Sequence, residues 1–433
     1  MTSVEKLQSS PISKILVLLR LESLPSLFTL VTLLGGETPT AAAKVHPSKM
    51  SETDDAAMTN SGHIQSRPKK PLEVHGLRLV PLTERTSSVM RVSSTTSSSI
   101  SDPVVNAFRT FISLNDLPVS GGLSIIPEST FADEITSKAE DFSTDLVVIP
   151  WAENGTVAEV ESSWGGSSGS DFTDSAQATF VRQALDEARC NAVVLVNAGF
   201  GGAAAISGKG EESSGKMKRV TSHLSTISLR DRHLADLSRT VGERSHHIFC
   251  PFIGGSDDKV ALRIVLLLAQ NSNVTATVLH IRKDSNIGSA QEVGKGATTN
   301  DDSKPKTTFT EQDQDQNITF LHSLRDSLPI TMSDRVIFTE ISATLSSSKA
   351  IMETVIESAK AEVNQSPRNA GDLLVVGRHH DELNAYSEVA KALGGLADGI
   401  LGGVRCSLLV VQAAGRSVKG RKESNVDEIR FVR

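Results

Sequence analysis

The chain has 433 residues, with 51 acidic and 44 basic side chains and a formal net charge of −7. That length accommodates two domains, and the mildly acidic balance excludes a broad basic surface for nucleic acid. Cys190, Cys250 and Cys406 sit at or beside apolar runs rather than at metal-ligand spacing; with no signal peptide, they read as reduced core residues and exclude a disulfide-stapled secreted scaffold. The triplets at Asn154, Asn273 and Asn317 are accordingly expected to carry no glycan.

After a polar leader, residues 14–21 read as a strand and 25–34 as a helix opening with Pro25 in its first turn and stopped by Gly35-Gly36. The apolar run 15–34 carries Arg20, Glu22 and Pro25 and is too interrupted to span a bilayer. Residues 37–72 lack periodicity and read as a disordered linker, in which the basic run Ser66 to Lys70 is a solvated stretch. A strand follows over 74–82, then a serine-rich loop. Asp102 caps a helix that places Val104, Val105, Phe108, Phe111 and Ile112 on one face. Residues 119–126 form a strand, 128–139 a helix, and Asp145 to Trp151 a strand. A Gly/Ser insert covers 162–170, a helix runs through 180–188, and 192–196 close the first domain as its fifth strand. The inter-domain segment 201–245 is linker.

The second domain, 246–412, repeats the plan. Strands are expected over 247–253, 274–281, 335–341, 373–376 and 408–411, and helices over 256–270, 320–328, 347–363 and 383–401, the last broken at Gly394-Gly395. A polar insert occupies 283–317 and a tail 413–433. The two domains are internal copies: Asp145 matches Asp372 ahead of an apolar strand, and Arg189-Cys190 matches Arg405-Cys406 ahead of the last one, with a period of about 200 residues or slightly more. Strands alternating with helices, and apolar over their whole length, give two tandem doubly wound α/β sheets of five mainly parallel strands. The two last strands are expected at sheet edges, where they pair the two domains or two chains.

Few residues suggest chemistry. In GGSDDK (254–259), Ser256 reads as an N-cap with Asp257 and Asp258 favouring the helix dipole, or alternatively as a regulatory cation or partner contact at the carboxyl edge of the sheet. Adjacent side chains diverge, so His246-His247 and His379-His380 are not metal pairs. His379 and His380 follow a buried strand beside Arg378, where imidazole protonation is read out near neutral pH. No nucleophile elbow, dinucleotide fingerprint or placed carboxylate pair organises an active site, so no enzyme, catalytic residue or metal is expected.

Taken in order, HGLRLVPLTERTSSVM, DLVVIPW, ARCNAVVLVNAGFGG, FIGGSDDKVALRIVLLLA, DLLVVGRHH, ALGGLADGILGG and SLLVVQ resemble the cytosolic C-terminal region of fungal and plant cation/proton exchangers, the potassium/proton antiporters of the monovalent cation:proton antiporter group. The resemblance implies two universal-stress-protein-like modules that follow a membrane-embedded exchanger domain, which is absent from this chain. It also implies where a nucleotide would sit: a Gly-x-x-Gly loop after the fourth strand and a later Gly-Ser/Thr. Gly377 is present, but His380 holds the second glycine position and Gly394-Gly395 lacks the hydroxyl, so the loop is degenerate and no cofactor is expected. The reading is therefore a non-enzymatic regulatory module on the cytosolic face of a membrane. It would partner an exchanger domain, with a homodimer through the last strands as a further option. The alternatives are a soluble nucleotide-binding sensor and a scaffold that only binds partners.

Overall fold

The computed structural model describes residues 12–36, 72–82, 102–152, 157, 171–201, 246–283, 311–343, 348–363, 371–378 and 387–415. Ten strands form one sheet: β1 Lys14–Leu18, β2 Glu73–Pro81, β3 Val119–Ile126, β4 Leu146–Pro150, β5 Asn191–Val196, β6 His246–Phe252, β7 Val274–Lys283, β8 Val336–Ala343, β9 Leu373–Gly377 and β10 Ser407–Gln412. Their order is β3-β2-β1-β4-β5-β10-β9-β6-β7-β8, so each set of five runs third, second, first, fourth, fifth, and the sets meet at their last strands. Every pairing is parallel except that of β5 with β10, which is antiparallel with Leu409 opposite Leu195 and Val411 opposite Val193. Of the two pairings expected for the last strands, between the two domains or between two chains, the structure has the first: β5 and β10 pair within one chain, which leaves neither for a second copy.

Helices cover both faces. On one lie α1 Leu24–Gly35, α2 Pro103–Leu114, α5 Ser256–Leu268 and α6 Glu311–Asp326; on the other lie α3 Phe131–Asp141, α4 Asp171–Glu187, α8 Ser348–Glu362, α9 Glu388–Leu393 and α10 Gly395–Gly403. A short α7, Ile330–Ser333, precedes β8. Alternate residues of one strand enter opposite cores: Leu146 and Val148 join the core on the side of α1 and α2, Val147 and Ile149 the core on the side of α3 and α4. This two-sided burial is why the strands read as unbroken apolar runs.

Local chemistry fixes the element ends. Asp102 accepts from the Val104 and Val105 N–H groups at 3.0 and 2.9 Å, as an N-cap should, and also receives Arg78 Nη1 at 2.6 Å. Asp145, just ahead of β4, accepts from the N–H groups of Ser13 and Lys14 at 2.8 and 3.0 Å and so pins the start of β1 beside it. The helix expected over 128–139 begins as a 3-10 turn, Glu128–Thr130. That expected over 320–328 begins earlier, because α6 takes in residues assigned to the polar insert. Asn317 is buried in α6, at 6% exposure, which leaves no room for a glycan on the folded chain. Asn154, the linker basic run and the Gly/Ser insert lie outside the described residues. Cys250 and Cys406 are buried and Cys190 is half-buried, all as free thiols.

Candidate functional site

In a doubly wound sheet, ligands bind beyond the carboxyl ends of the strands where the order reverses. Here those crevices lie between β1 and β4 and between β6 and β9. The β6·β9 ladder is only two pairs long, Ile248 with Leu373 and Phe249 with Leu374, so the two strands part toward their carboxyl ends.

The loop after β6 fills that opening from within. Gly254 and Gly255 take φ of 125° and 103°, which turns the chain sharply into α5. The N-cap is Gly255, with no side-chain cap bond, and Ser256 is the first helical residue rather than the expected cap. The turn ahead of the helix is closed instead by Asp258, whose Oδ2 reaches back to accept from the N–H groups of Ile253 and Gly254 at 2.8 Å each. An acid at the third helical position reaches back in the same sense in a capping box, but here the N-cap is glycine and the donors it serves precede it. Asp257 Oδ1 accepts from the Ala413 N–H at 3.0 Å and so ties α5 to the end of β10. Both aspartates are buried, Asp258 fully and Asp257 at 3% exposure. The burial and, second, the charge of Asp258 raise the Cys250 thiol well above its ordinary pKa.

Gly377 ends β9 directly against this turn. A Cβ there would fall onto Asp258 Oδ1 and lie 3.0 Å from both Asp257 Cβ and Asp258 N. Glycine is required by close approach, but the group approaching is the chain's own carboxylate. Backbone N–H groups of a strand-to-helix loop can cradle a phosphate; those of Ile253 and Gly254 are already given to Asp258. Gly394, at φ 95°, is the hinge between α9 and α10, and Gly395 begins α10. His379 and His380 lie outside the described residues.

Arg378, which follows Gly377, is 1% exposed. Its Nη1 donates to Asp186 Oδ1 at 3.1 Å and to Gln412 Oε1, while Gln412 Nε2 donates to the Leu185 carbonyl at 2.6 Å. One buried guanidinium thus holds the end of β9, the end of β10 and the end of α4 together. Sequence reasoning missed this clamp, because Asp186 and Gln412 are remote in the chain and carry no local signal.

The β1/β4 crevice is built differently. Arg20 follows β1, is 4% exposed, lies 3.2 Å from Glu22 through Nε and donates from Nη1 to the Val157 carbonyl at 2.7 Å. No carboxylate of α1 answers it, since the first turn of that helix has no acidic residue. Among the described residues, no group of three His, Cys, Asp or Glu side chains is placed to hold a metal ion.

Residues 74–200 match the family model of the plant cation/H(+) antiporter domain. The chain is similar to the plant cation/H(+) antiporters. Cation/H(+) antiporter 15 of Arabidopsis thaliana is 27% identical over 267 residues, which are 58% of this chain and 27% of that protein. Cation/H(+) antiporter 17 of the same plant is 24% identical over 225 residues, 49% of this chain and 22% of that protein. The chain therefore spans about a quarter of the length of these relatives. Among solved structures, a universal stress protein from Archaeoglobus fulgidus aligns over 93% of this chain and 98% of its own, at 8% identity and a TM-score of 0.41. A putative universal stress protein from Pseudomonas aeruginosa aligns over 94% of each chain at 10% identity and 0.36. The α/β assignment itself rests on the strand order and the two helical layers.

Proposed function

We propose that this chain is the cytosolic regulatory module of a potassium/proton antiporter, supporting monovalent cation and pH homeostasis at the cytosolic face of a membrane. The observation that carries the reading is the match of residues 74–200 to the plant cation/H(+) antiporter domain, in company with two antiporters as relatives. Among the described residues no helix is long and apolar enough to cross a membrane, so ion movement is assigned to a membrane-embedded exchanger domain as the partner of this chain. The role is non-enzymatic. The β6/β9 crevice supports this over a nucleotide-binding sensor, because Asp258 takes the N–H donors that a phosphate would use. His379 and His380 are the proposed proton-responsive pair, following Arg378 in the sequence.

The test is potassium/proton exchange in sealed vesicles, measured against cytosolic pH, for an antiporter carrying this chain and for the same protein without it. Removal is expected to shift the pH profile. An unchanged profile would sink the regulatory reading. Replacing both His379 and His380 by glutamine is expected to flatten the response to pH, and an unaltered response would remove them from the mechanism.

A further inference from the structure

Between α3 and α4, where β4 and β5 begin, lies a cavity of about 180 Å³. Its wall includes Ile135, Ala139, Ala184 and Ala188, with Thr136, Ser143 and Thr144 as hydroxyl-bearing members, of which Ser143 is exposed. Arg189 and Glu140 also border it but neutralise each other across 2.9 Å in solvent. The remaining titratable neighbour, Cys190, has its thiol pushed up to about 11, chiefly by burial, and stays uncharged at neutral pH.

Two independent observations mark this cavity as more than a packing gap. The hydroxyl oxygens of Thr136 and Thr144 are buried and have no hydrogen-bond partner among the described residues. Thr144 is only 8% exposed, so its hydroxyl has little access to water, and a buried hydroxyl left without a partner is costly. The second observation comes from the internal repeat. Counted back from the matching Arg189-Cys190 and Arg405-Cys406 pairs, Ala184 and Ala188 stand where the second copy has Ile400 and Val404. Those two larger side chains are buried at 1% and 8% exposure in the core on the same face of the sheet. The first copy thus has methyl groups where its twin has branched aliphatic side chains, and it is there that the cavity lies.

We propose that this cavity is a binding site for an uncharged molecule of about one six-membered ring bearing a hydroxyl, with the ring against the alanine wall and the hydroxyl between Thr136 and Thr144. Size sets the first requirement: an aliphatic cavity of about 150 Å³ takes benzene, and the space here adds room for one polar substituent. Charge sets the second, since an ion entering would be desolvated with no unpaired counter-charge to meet it. The proposal does not depend on the antiporter reading.

Benzyl alcohol is the probe, titrated into the full chain and followed by ligand-observed NMR and by the unfolding temperature. Saturable binding is expected with a Kd of about 1 mM, ordinary for a ligand of this size. Toluene should bind at least about threefold more weakly for want of one hydrogen bond, and benzoate should not bind. Ala184→Ile, which installs the residue of the second copy, should weaken benzyl alcohol at least about tenfold while leaving the unfolding temperature equal or higher. Ala188→Val serves as the second filling variant if Ala184→Ile folds poorly. Thr144→Val should reduce benzyl alcohol to the affinity of toluene. Absence of saturation up to about 10 mM, or an affinity unmoved by the filling variant that folds, would overturn the proposal.

Discussion

Replacing Gly377 by alanine is expected to destabilise the fold by about 3 kcal/mol, although the backbone there needs no special conformation. The new methyl would fall on Asp258 Oδ1 and crowd Asp258 N and Asp257 Cβ at 3.0 Å. These atoms cannot swing away cheaply, because Asp258 Oδ2 holds the N–H groups of Ile253 and Gly254 at 2.8 Å each. Overpacking a tight site costs about 1–3 kcal/mol, and losing a hydrogen bond to a charged group about 1.5–3. Asp258→Ala by itself should cost a similar amount, by leaving two backbone donors without an acceptor. In the double variant the methyl at 377 has room, so the combined cost should fall short of the sum by about 2 kcal/mol. Urea midpoints of the four proteins at one pH, with unchanged slope, measure all three quantities. Additive costs, or a Gly377→Ala protein within about 0.5 kcal/mol of the parent, would show that Asp258 does not dictate this glycine.

Two other outcomes follow from the geometry. Isothermal titration of ATP into the full chain should show no binding at micromolar concentrations, since the donors after β6 are occupied; micromolar affinity abolished by a bulky residue at 377 would promote the nucleotide-sensor reading. His75, stacked on Phe142 with ring centroids 3.8 Å apart, is lowered to about 4 from an ordinary 6.5, mainly by burial and secondly by Lys138. Between those values the unfolded chain binds the proton and the folded chain does not. Stability should therefore be full above the upper value and fall as pH drops toward the lower one. His75→Gln should flatten that decline in urea midpoints taken across the window, and an identical slope in both proteins would refute the assignment.

Much of this fold was legible because the central strands are buried on both faces, so that Leu146 to Ile149 and Leu408 to Val411 stand out as apolar runs without alternation. The repeat was legible through its Arg-Cys pairs, and it fixed the correspondence of β5 with β10. The direction in which those two strands meet was not. It depends on contacts between remote residues, such as Ser407 Oγ accepting from the N–H groups of Ala198 and Phe200 at 2.8 and 3.1 Å. At the candidate site, Gly377 carried an ambiguous signal. A strand-end glycine required by a bound phosphate and one required by a neighbouring carboxylate are identical in sequence, and only the position of Asp258 separates them. Ser256 misled for a related reason: it has the side chain of an N-cap but stands one residue too far along, and the N-cap position falls on Gly255, which has no side chain to cap with.

The antiparallel joint between β5 and β10 sets the polarity of the whole sheet. Strands of the first set finish at the end of the sheet where those of the second set begin, which is why Asp186, ahead of β5, can meet Arg378, behind β9. The crevice at Arg20 and the turn at Gly377 consequently open toward opposite ends of the sheet, separated by about 17–20 Å along the strands and by roughly four strand spacings of about 4.8 Å across them. The duplicated halves, alike in strand order, therefore present their crevices at opposite ends of one continuous sheet.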